Sequence, residues 1–489
     1  KRFKIDGYIV PKNDEYFNEY VPLSKDRLRF LSNFNGSAGF AVILKNKNYL
    51  FVDGRYTIQA KIESGKKFKV ITIPQKYPKD VLRTKKKIKI GFDPKLHNET
   101  QLNFLFNIKN VDLAPIKENL IDIIWSKKPK DLIKPFFSLS TKDAGQSFNQ
   151  KIEKVKKVLL KNKIDYLLVT APENVAWILN IRGSDGPNSP IPNSRLIISK
   201  TKKIFLISKI KKCKKILKDN VIKLNQIIDI NEFPKKVLNL KGKKFIIDEN
   251  SCSFFLKNII EKNNKILNFH DPIYYFKAIK GKREIENIKQ AHIYDGVALT
   301  KFLFWLKKNF YKKNITEMSA SQKLLRLRKE NKKFKFLSFP TISGSGPNGA
   351  IIHYKATKET NRKLNKGDIY LVDSGGQYEF GTTDVTRTIT LNNSKKRIKD
   401  IFTRVLKGHI AVANFNLKKN TSGSIIDDKA REFLKQIGLN YAHGTGHGVG
   451  YFLNVHEGPH AISKRNKINF KEGMIVSNEP GYYEKNKFG

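Results

Sequence analysis

The stretch Ile369–Thr390, IYLVDSGGQYEFGTTDVTRTIT, decides the fold of this chain. It reads as two β-type runs, Ile369–Ser374 and Thr382–Thr390, joined by a glycine-bearing turn over Gly375–Gly381. Each run carries one acid, Asp373 and Asp384. A hairpin symmetric about Tyr378 and Glu379 sets these two side chains opposite each other, about 4.5–5.5 Å apart at Cβ. Like charges held that close repel, so the pattern predicts a cation between them. Two aspartates near a turn equally describe a solvated bend, and the surrounding sequence decides.

Downstream, Tyr441–Gly450 reads YAHGTGHGVG. Four glycines in alternation disfavour a helix and let the backbone approach a neighbour closely. In an extended stretch His443 and His447, four residues apart, project from one face. His456 and His460 follow. Met474–Glu479 then reads as a strand, and Pro480 biases Glu479 towards an extended backbone. Two aspartates, a glycine-flanked histidine and a pre-proline glutamate suit hard-to-borderline divalent ions such as Mn²⁺, Zn²⁺ or Co²⁺. The excess of carboxylates favours two ions, which about 3.5–4 Å apart hold a bridging hydroxide and polarise a carbonyl. Histidines left free would then stabilise an oxyanion and move protons.

Upstream, Phe339–Tyr354 reads FPTISGSGPNGAIIHY. Gly344, Gly346 and Gly349 match a dinucleotide fingerprint in form, but Pro347 interrupts it and no amphipathic helix follows. The alternative is a loop that brings His353 to the metal site. Three helices frame these motifs, over Lys282–Lys308, Ile398–Asn414 and Ile425–Ile437, the last stopped by Gly438. His292 and His409 lie within helices and read as surface or packing residues.

The first 270 residues alternate strand and helix twice, which predicts two related α/β lobes. Trp125–Pro135 reads as the linker between them. The resulting division is 1–135, 136–270 and 271–489. Gly36–Gly39 reads as a tight turn, since no Gly-Lys-Ser/Thr follows it to make a phosphate cradle.

The 489 residues suffice for about two to four domains. No apolar run approaches the roughly 18 residues of a membrane span. Two cysteines, Cys213 and Cys252, make no disulfide framework and suit a reducing, cytoplasmic setting. The formal net charge of +51 raises the question of a polyanionic partner. The lysines are spread along the whole chain, and runs such as Lys85–Lys89 lack interleaved aromatics. They read as solvated positions, with no specific nucleic-acid partner expected.

Taken together, four stretches carry a resemblance: SFPTISGSGPNGAIIHY, YLVDSGGQYEFGTTDVTRT, HGTGHGVGYFLNVHEGP and GMIVSNEPGYYE. The C-terminal third resembles the pita-bread metallopeptidases. The whole chain is similar to the three-domain, eukaryote-like branch of the aminopeptidase P (Xaa-Pro aminopeptidase) family. EYVPLSKDRLRFLSNFNGSAG, VDGRYTIQA and VAWILNIRGSD fit its two N-terminal lobes. The resemblance implies an α/β (α+β) architecture, two creatinase-N-like lobes ahead of a pita-bread catalytic domain. It implies a metalloprotease that hydrolyses the N-terminal Xaa-Pro bond of peptides with two ions, Mn²⁺ first, in a cytoplasmic homodimer.

By the same resemblance Asp373, Asp384, His447 and Glu479 are metal ligands, with Glu479 also the general base. His353, His443 and His456 are the histidines that bind substrate and shuttle protons, and Tyr483 stands near the site. Arg182 and Asp185 belong to a second-lobe motif. The family's fifth ligand is a glutamate in a Gly-x-Arg-x-Glu strand after the Pro-Gly-Tyr-Tyr turn, and the chain stops at Gly489 before it. With Lys1 in place of Met at the start, the expectation is a fragment that binds the metal pair poorly. Prolidase, which shares the ligands but lacks the middle lobe, is the nearer alternative. A non-enzymatic pita-bread adaptor, whose relatives lose these aspartates and histidines, is the more distant one.

Overall fold

The computed structural model describes residues 3–417 and 420–489. By compactness the chain divides into two units, Lys1–Lys142 with Gln146–Tyr274, and Asp143–Gly145 with Tyr275–Gly489. Among the described residues no helix is long and apolar enough to cross a membrane.

The first unit contains two six-stranded sheets. In chain order the first sheet uses Gly7–Pro11, Phe40–Leu44, Asn48–Asp53, Lys69–Ile73, Ile88–Phe92 and Val111–Pro115. The second uses Tyr166–Val169, Arg195–Ser199, Ile204–Ile207, Ile227–Ile228, Lys244–Ile247 and Lys265–Asn268. Numbered one to six within its own lobe, each sheet runs 4-3-2-1-5-6 across. The pairing senses match as well: strands one, two and three pair antiparallel, and the other neighbours pair parallel. The two lobes expected from the strand–helix alternation are therefore one topology used twice.

Alternation explains how each sheet is covered. In Gly7–Pro11, all buried, Tyr8 and Val10 join Leu28, Phe34 and Tyr56 on one face, while Ile9 joins Phe51, Phe92 and Phe106 on the other. A strand covered on both faces reads as a continuous apolar run. The lobes are joined through Phe92 and Phe254, whose rings stand edge to face at 5.4 Å, and through Asn98, which donates to the Asn250 carbonyl at 2.9 Å. Residues 126–136 between them contain no helix or strand.

In the second unit, helix Lys282–Asn309 lies beside helix Glu317–Lys329. Their buried faces, Phe302 and Leu306 from one and Leu324 and Leu327 from the other, cover Tyr370 and Val372. These two belong to Ile369–Ser374, the central strand of a three-stranded sheet flanked by Ile342–Ser345 and Val385–Thr390. Because side chains alternate, Ile369, Leu371 and Asp373 point to the opposite face, where Ile369 packs with Ile401, Leu434 and Tyr441. The strand thus has one face for the core and one for the site. Helices Lys396–Ala413 and Gly423–Lys435 lie within two residues of their expected bounds, and Gly438 closes the last at φ +70°.

Two expectations need correction. The deciding hairpin is centred on Glu379 and Phe380, one residue further than read from the sequence, with Phe380 at φ +67°. Gln377 faces Thr382, Asp373 faces Thr386, and Asp384 stands just ahead of its strand. The aspartates are therefore not directly opposite, although a shift of two keeps both on one face. The expected turn is also partly strand: Gly376–Tyr378 and Gly381–Thr382 form a second sheet with Phe334–Leu337. Gly375 allows the change of sheet, since a Cβ there would lie 1.9 Å from the Thr383 carbonyl oxygen.

Met474–Glu479 is extended without being a regular strand. Ser477 N–H donates to the His447 carbonyl at 2.8 Å and Glu479 N–H to that of Thr445 at 2.7 Å. The His447 N–H goes to Ser477 Oγ at 3.0 Å in place of a main-chain carbonyl, and Val449 N–H donates to the Ile475 carbonyl at 3.3 Å. The Gly344, Gly346 and Gly349 pattern leads into no α-helix: Gly346–Ala350 is a short 3-10 turn.

Candidate metal centre

Asp384, His447 and Glu479 converge, each offering one ligand atom within 4.8 Å of the others. His447 Nδ1 donates to the Gly448 carbonyl at 2.9 Å, which turns Nε2 towards the acids. That nitrogen lies 3.1 Å from Asp384 Oδ2 and 3.1 Å from Glu479 Oε1. The strand carrying it, Gly446–Gly448, fits because it lacks side chains on either side of His447. A Cβ on Gly446 would lie 1.9 Å from the Ser477 carbonyl oxygen, and one on Gly448 2.2 Å from that of Glu457.

Asp373 is the fourth member. Burial, then the charges of Asp384 and Glu479, push its carboxyl well above the ordinary range, and its Oδ1 is a buried acceptor with no hydrogen-bond partner. Burial also penalises charge on His447, but the hydrogen bonds and charges of Asp384 and Glu479 prevail and raise it well above 6.5. Burial pushes Glu479 up, and His447 outweighs it, holding the carboxyl at about 2. Three carboxylates, one of them orphaned, and one imidazole fit divalent ions with oxygen and nitrogen ligands.

The accessory residues sit on four separate loops. The His456 ring stands 4.3 Å from that of His447, edge to face. His443 lies between Tyr441 at 4.8 Å and Tyr483 at 5.4 Å, ring centre to ring centre. It sits in a bend before the short strand, so it does not share a strand face with His447 as expected. Its charge nevertheless acts on Glu479. Tyr483 is half-buried, and desolvation first, then the charges of Asp373 and Glu479, raise its hydroxyl pKa. His353 is half-buried in the turn that follows Gly346–Ala350.

Several supporting residues were not legible in the sequence. Ser477 Oγ donates to Glu479 Oε1 while accepting from His447 N–H. Glu457, next to His456, is buried and paired with Lys280 and, at 3.3 Å, with Lys277. Glu317, fully buried, accepts from Ser345 N–H at 2.7 Å, the Tyr354 hydroxyl at 2.8 Å and Arg362 N–H at 2.9 Å. It thereby ties down the loop that holds His353. His460 is a packing residue whose Nε2 donates to the Ile475 carbonyl at 2.8 Å. Within the second lobe, Arg182 donates to the Ala176 and Ile181 carbonyls, and Asp185 pairs with Lys212 at 2.6 Å.

The chain matches the metallopeptidase family M24 over residues 286–489 and two creatinase/prolidase N-terminal domains over 1–122 and 127–284. A probable Xaa-Pro aminopeptidase P of Coprinopsis cinerea is 37% identical across 100% of this chain and 83% of its own length. Xaa-Pro aminopeptidase 1 of Dictyostelium discoideum is 37% identical across 99% of this chain and 81% of its own. The crystal structure of X-prolyl aminopeptidase from Caenorhabditis elegans, described as a cytosolic enzyme with a di-nuclear active site, superposes with a TM-score of 0.92. That alignment has 30% identity and covers 99% of this chain and 82% of the other. Two creatinase-type lobes ahead of an M24 domain that gathers Asp373, Asp384, His447 and Glu479 make the chain a member of the Xaa-Pro aminopeptidase family.

Proposed function

We propose that this protein is a metal-dependent aminopeptidase that releases the N-terminal residue from peptides with proline in second position. The observation that carries the reading is the meeting of Asp384, His447 and Glu479 beside the buried, partnerless Oδ1 of Asp373. Full-length similarity to Xaa-Pro aminopeptidases supports it. Asp373, Asp384, His447 and Glu479 would hold two divalent ions, with Mn²⁺ the first choice and Zn²⁺ or Co²⁺ as alternatives. When bound, such ions supply Lewis acidity at the scissile carbonyl and lower the pKa of water.

The chain's own groups do the rest. Glu479 Oε takes the proton of the attacking water. The imidazoles of His353, His443 and His456 bind the substrate, hydrogen-bond the oxygen where charge develops and return a proton to the proline nitrogen. That nitrogen carries no N–H in the substrate, so it leaves only once protonated. Tyr483, beside His443, helps to line the substrate side. The reading includes residues 1–135 and 136–270 as the two N-terminal domains and 271–489 as the catalytic one. It also includes a homodimer in the cytoplasm.

The test is release of the first residue from Xaa-Pro-Yaa, Xaa-Pro and Xaa-Ala-Yaa peptides by protein stripped of metal and reloaded with Mn²⁺. Cleavage of the Xaa-Pro-Yaa peptide, abolished by Asp384→Ala, is expected. Cleavage of the Xaa-Pro dipeptide alone would move the assignment to prolidase. No cleavage with metal bound would return the chain to the adaptor reading.

A further inference from the structure

The segment Asn440–Thr445 must hold His443 in place, yet it has no regular secondary structure, and Gly444 within it and Gly446 just after it flank Thr445. Glycine backbone is the least restrained of any residue, so stiffness has to come from outside. It comes from two side chains one turn apart on helix Gly423–Lys435. Arg431 Nη2 donates to the His443 carbonyl at 2.6 Å, and Nη1 to the Tyr441 carbonyl at 2.8 Å and Asn440 Oδ1 at 2.8 Å. The guanidinium lies 3.9 Å over the Tyr441 ring, and its Nε donates to Asp427 Oδ2 at 2.9 Å. The other oxygen of Asp427 accepts from the Thr445 hydroxyl at 2.6 Å. The Tyr441 hydroxyl donates in turn to Thr445 Oγ1 at 2.5 Å. The carbonyl of that same Thr445 receives the Glu479 N–H.

We propose that Arg431, held by Asp427, is a positioning residue for peptide cleavage. It fixes the His443 imidazole against Tyr483 and the Gly481 backbone, and through Thr445 it sets the main chain of Glu479. The His443 side has little room to move: a Cβ on Gly481 would lie 3.2 Å from His443 Nε2. Neither Arg431 nor Asp427 belongs to a glycine-rich or histidine-bearing motif. The inference rests on the aminopeptidase reading above.

Arg431→Lys keeps the charge and loses the planar fork that meets four acceptors at once. In the metal-loaded full chain, kcat/KM on Xaa-Pro-Yaa is expected to fall about tenfold to a hundredfold, the scale of a small misplacement of a reacting group. Bound metal stays at the wild-type stoichiometry. In a His443→Ala background the same substitution is expected to cost clearly less, because only the part that acts through Thr445 on Glu479 is left. An equal loss in both backgrounds would overturn the proposal.

A second readout needs no turnover. In ¹³C-histidine-labelled, Zn²⁺-loaded protein the His443 ring resonance should move in Arg431→Lys and in Thr445→Val, which removes a single hydroxyl. An unmoved resonance overturns the proposal, and Thr445→Val decides alone where Arg431→Lys does not fold. Wild-type protein that cleaves no Xaa-Pro peptide would count against the functional reading, and the resonance would still decide on the clamp.

Discussion

His447 Nε2 stands 3.1 Å from Glu479 Oε1, and in the metal-free protein this is an ion pair, with the imidazole raised above 6.5 and the carboxyl held at about 2. Metal binding needs the neutral imidazole, and Asp373, also raised, must lose its proton too. The sign follows: affinity strengthens as pH rises and weakens as pH falls below the raised His447 value. The expected loss is at least about tenfold per pH unit where one proton is displaced, and steeper where two are. Titration calorimetry in buffers of different ionisation enthalpy counts the protons released. An affinity flat across roughly pH 6 to 8 would contradict the assignment of His447 as a ligand.

Ser477 touches both partners of that pair, accepting from the His447 main chain and donating to Glu479 Oε1. Groups that orient metal ligands typically matter about tenfold to a hundredfold in affinity when removed. Ser477→Ala is therefore expected to weaken metal binding on that scale while leaving the fold intact. The check is Mn²⁺ titration followed by electron paramagnetic resonance. Unchanged affinity would mean that Glu479 keeps its aim without the serine.

The contrast between these two residues shows what a sequence can disclose. His447 and Glu479 sit in patterns with a local physical reason: glycines that clear space around one, a proline that extends the backbone of the other. The double lobe was legible too, because strand and helix periodicities are local. The hairpin register was not. Moving its centre from Tyr378–Glu379 to Glu379–Phe380 needed Phe380 in a left-handed conformation, which is uncommon for an aromatic residue. Ser477, Glu317, Asp427 and Arg431 were illegible for another reason. Their partners lie in other elements, such as Thr445 for Asp427, eighteen residues away and joined only by the fold.

Glu317 offers a cleaner test of loop control. Its carboxylate accepts from Ser345, Asn348, Tyr354 and Arg362, all donors, so the amide nitrogen of Glu317→Gln would face donors it cannot serve. Leaving a buried donor unpaired costs about 1–3 kcal/mol. The expected result is a looser segment over residues 345–362, seen as faster amide hydrogen exchange there. KM should rise through displacement of His353, with metal content unchanged. Exchange at the wild-type rate in that segment would show that Glu317 is not its anchor.

His97 supplies a prediction for the other unit, away from any chemistry. Its ring is buried edge to face on Phe92 at 5.6 Å, with Nδ1 donating to the Asp93 carbonyl at 3.0 Å. Its main-chain carbonyl accepts the Phe254 N–H of the second lobe at 2.7 Å. Burial lowers its pKa from 6.5 to about 4. The folded state thus favours neutral imidazole, while the unfolded chain takes up a proton below 6.5. Stability from this group is complete above pH 6.5, drains as pH falls towards 4, and changes no further below that. The gap corresponds to about 3 kcal/mol. His97→Asn keeps a donor near the Asp93 carbonyl and removes the titration, so it should flatten the acid limb between those two values. Scanning calorimetry across that range reads it directly, and an acid limb as steep as the wild type's would assign the proton uptake to other groups.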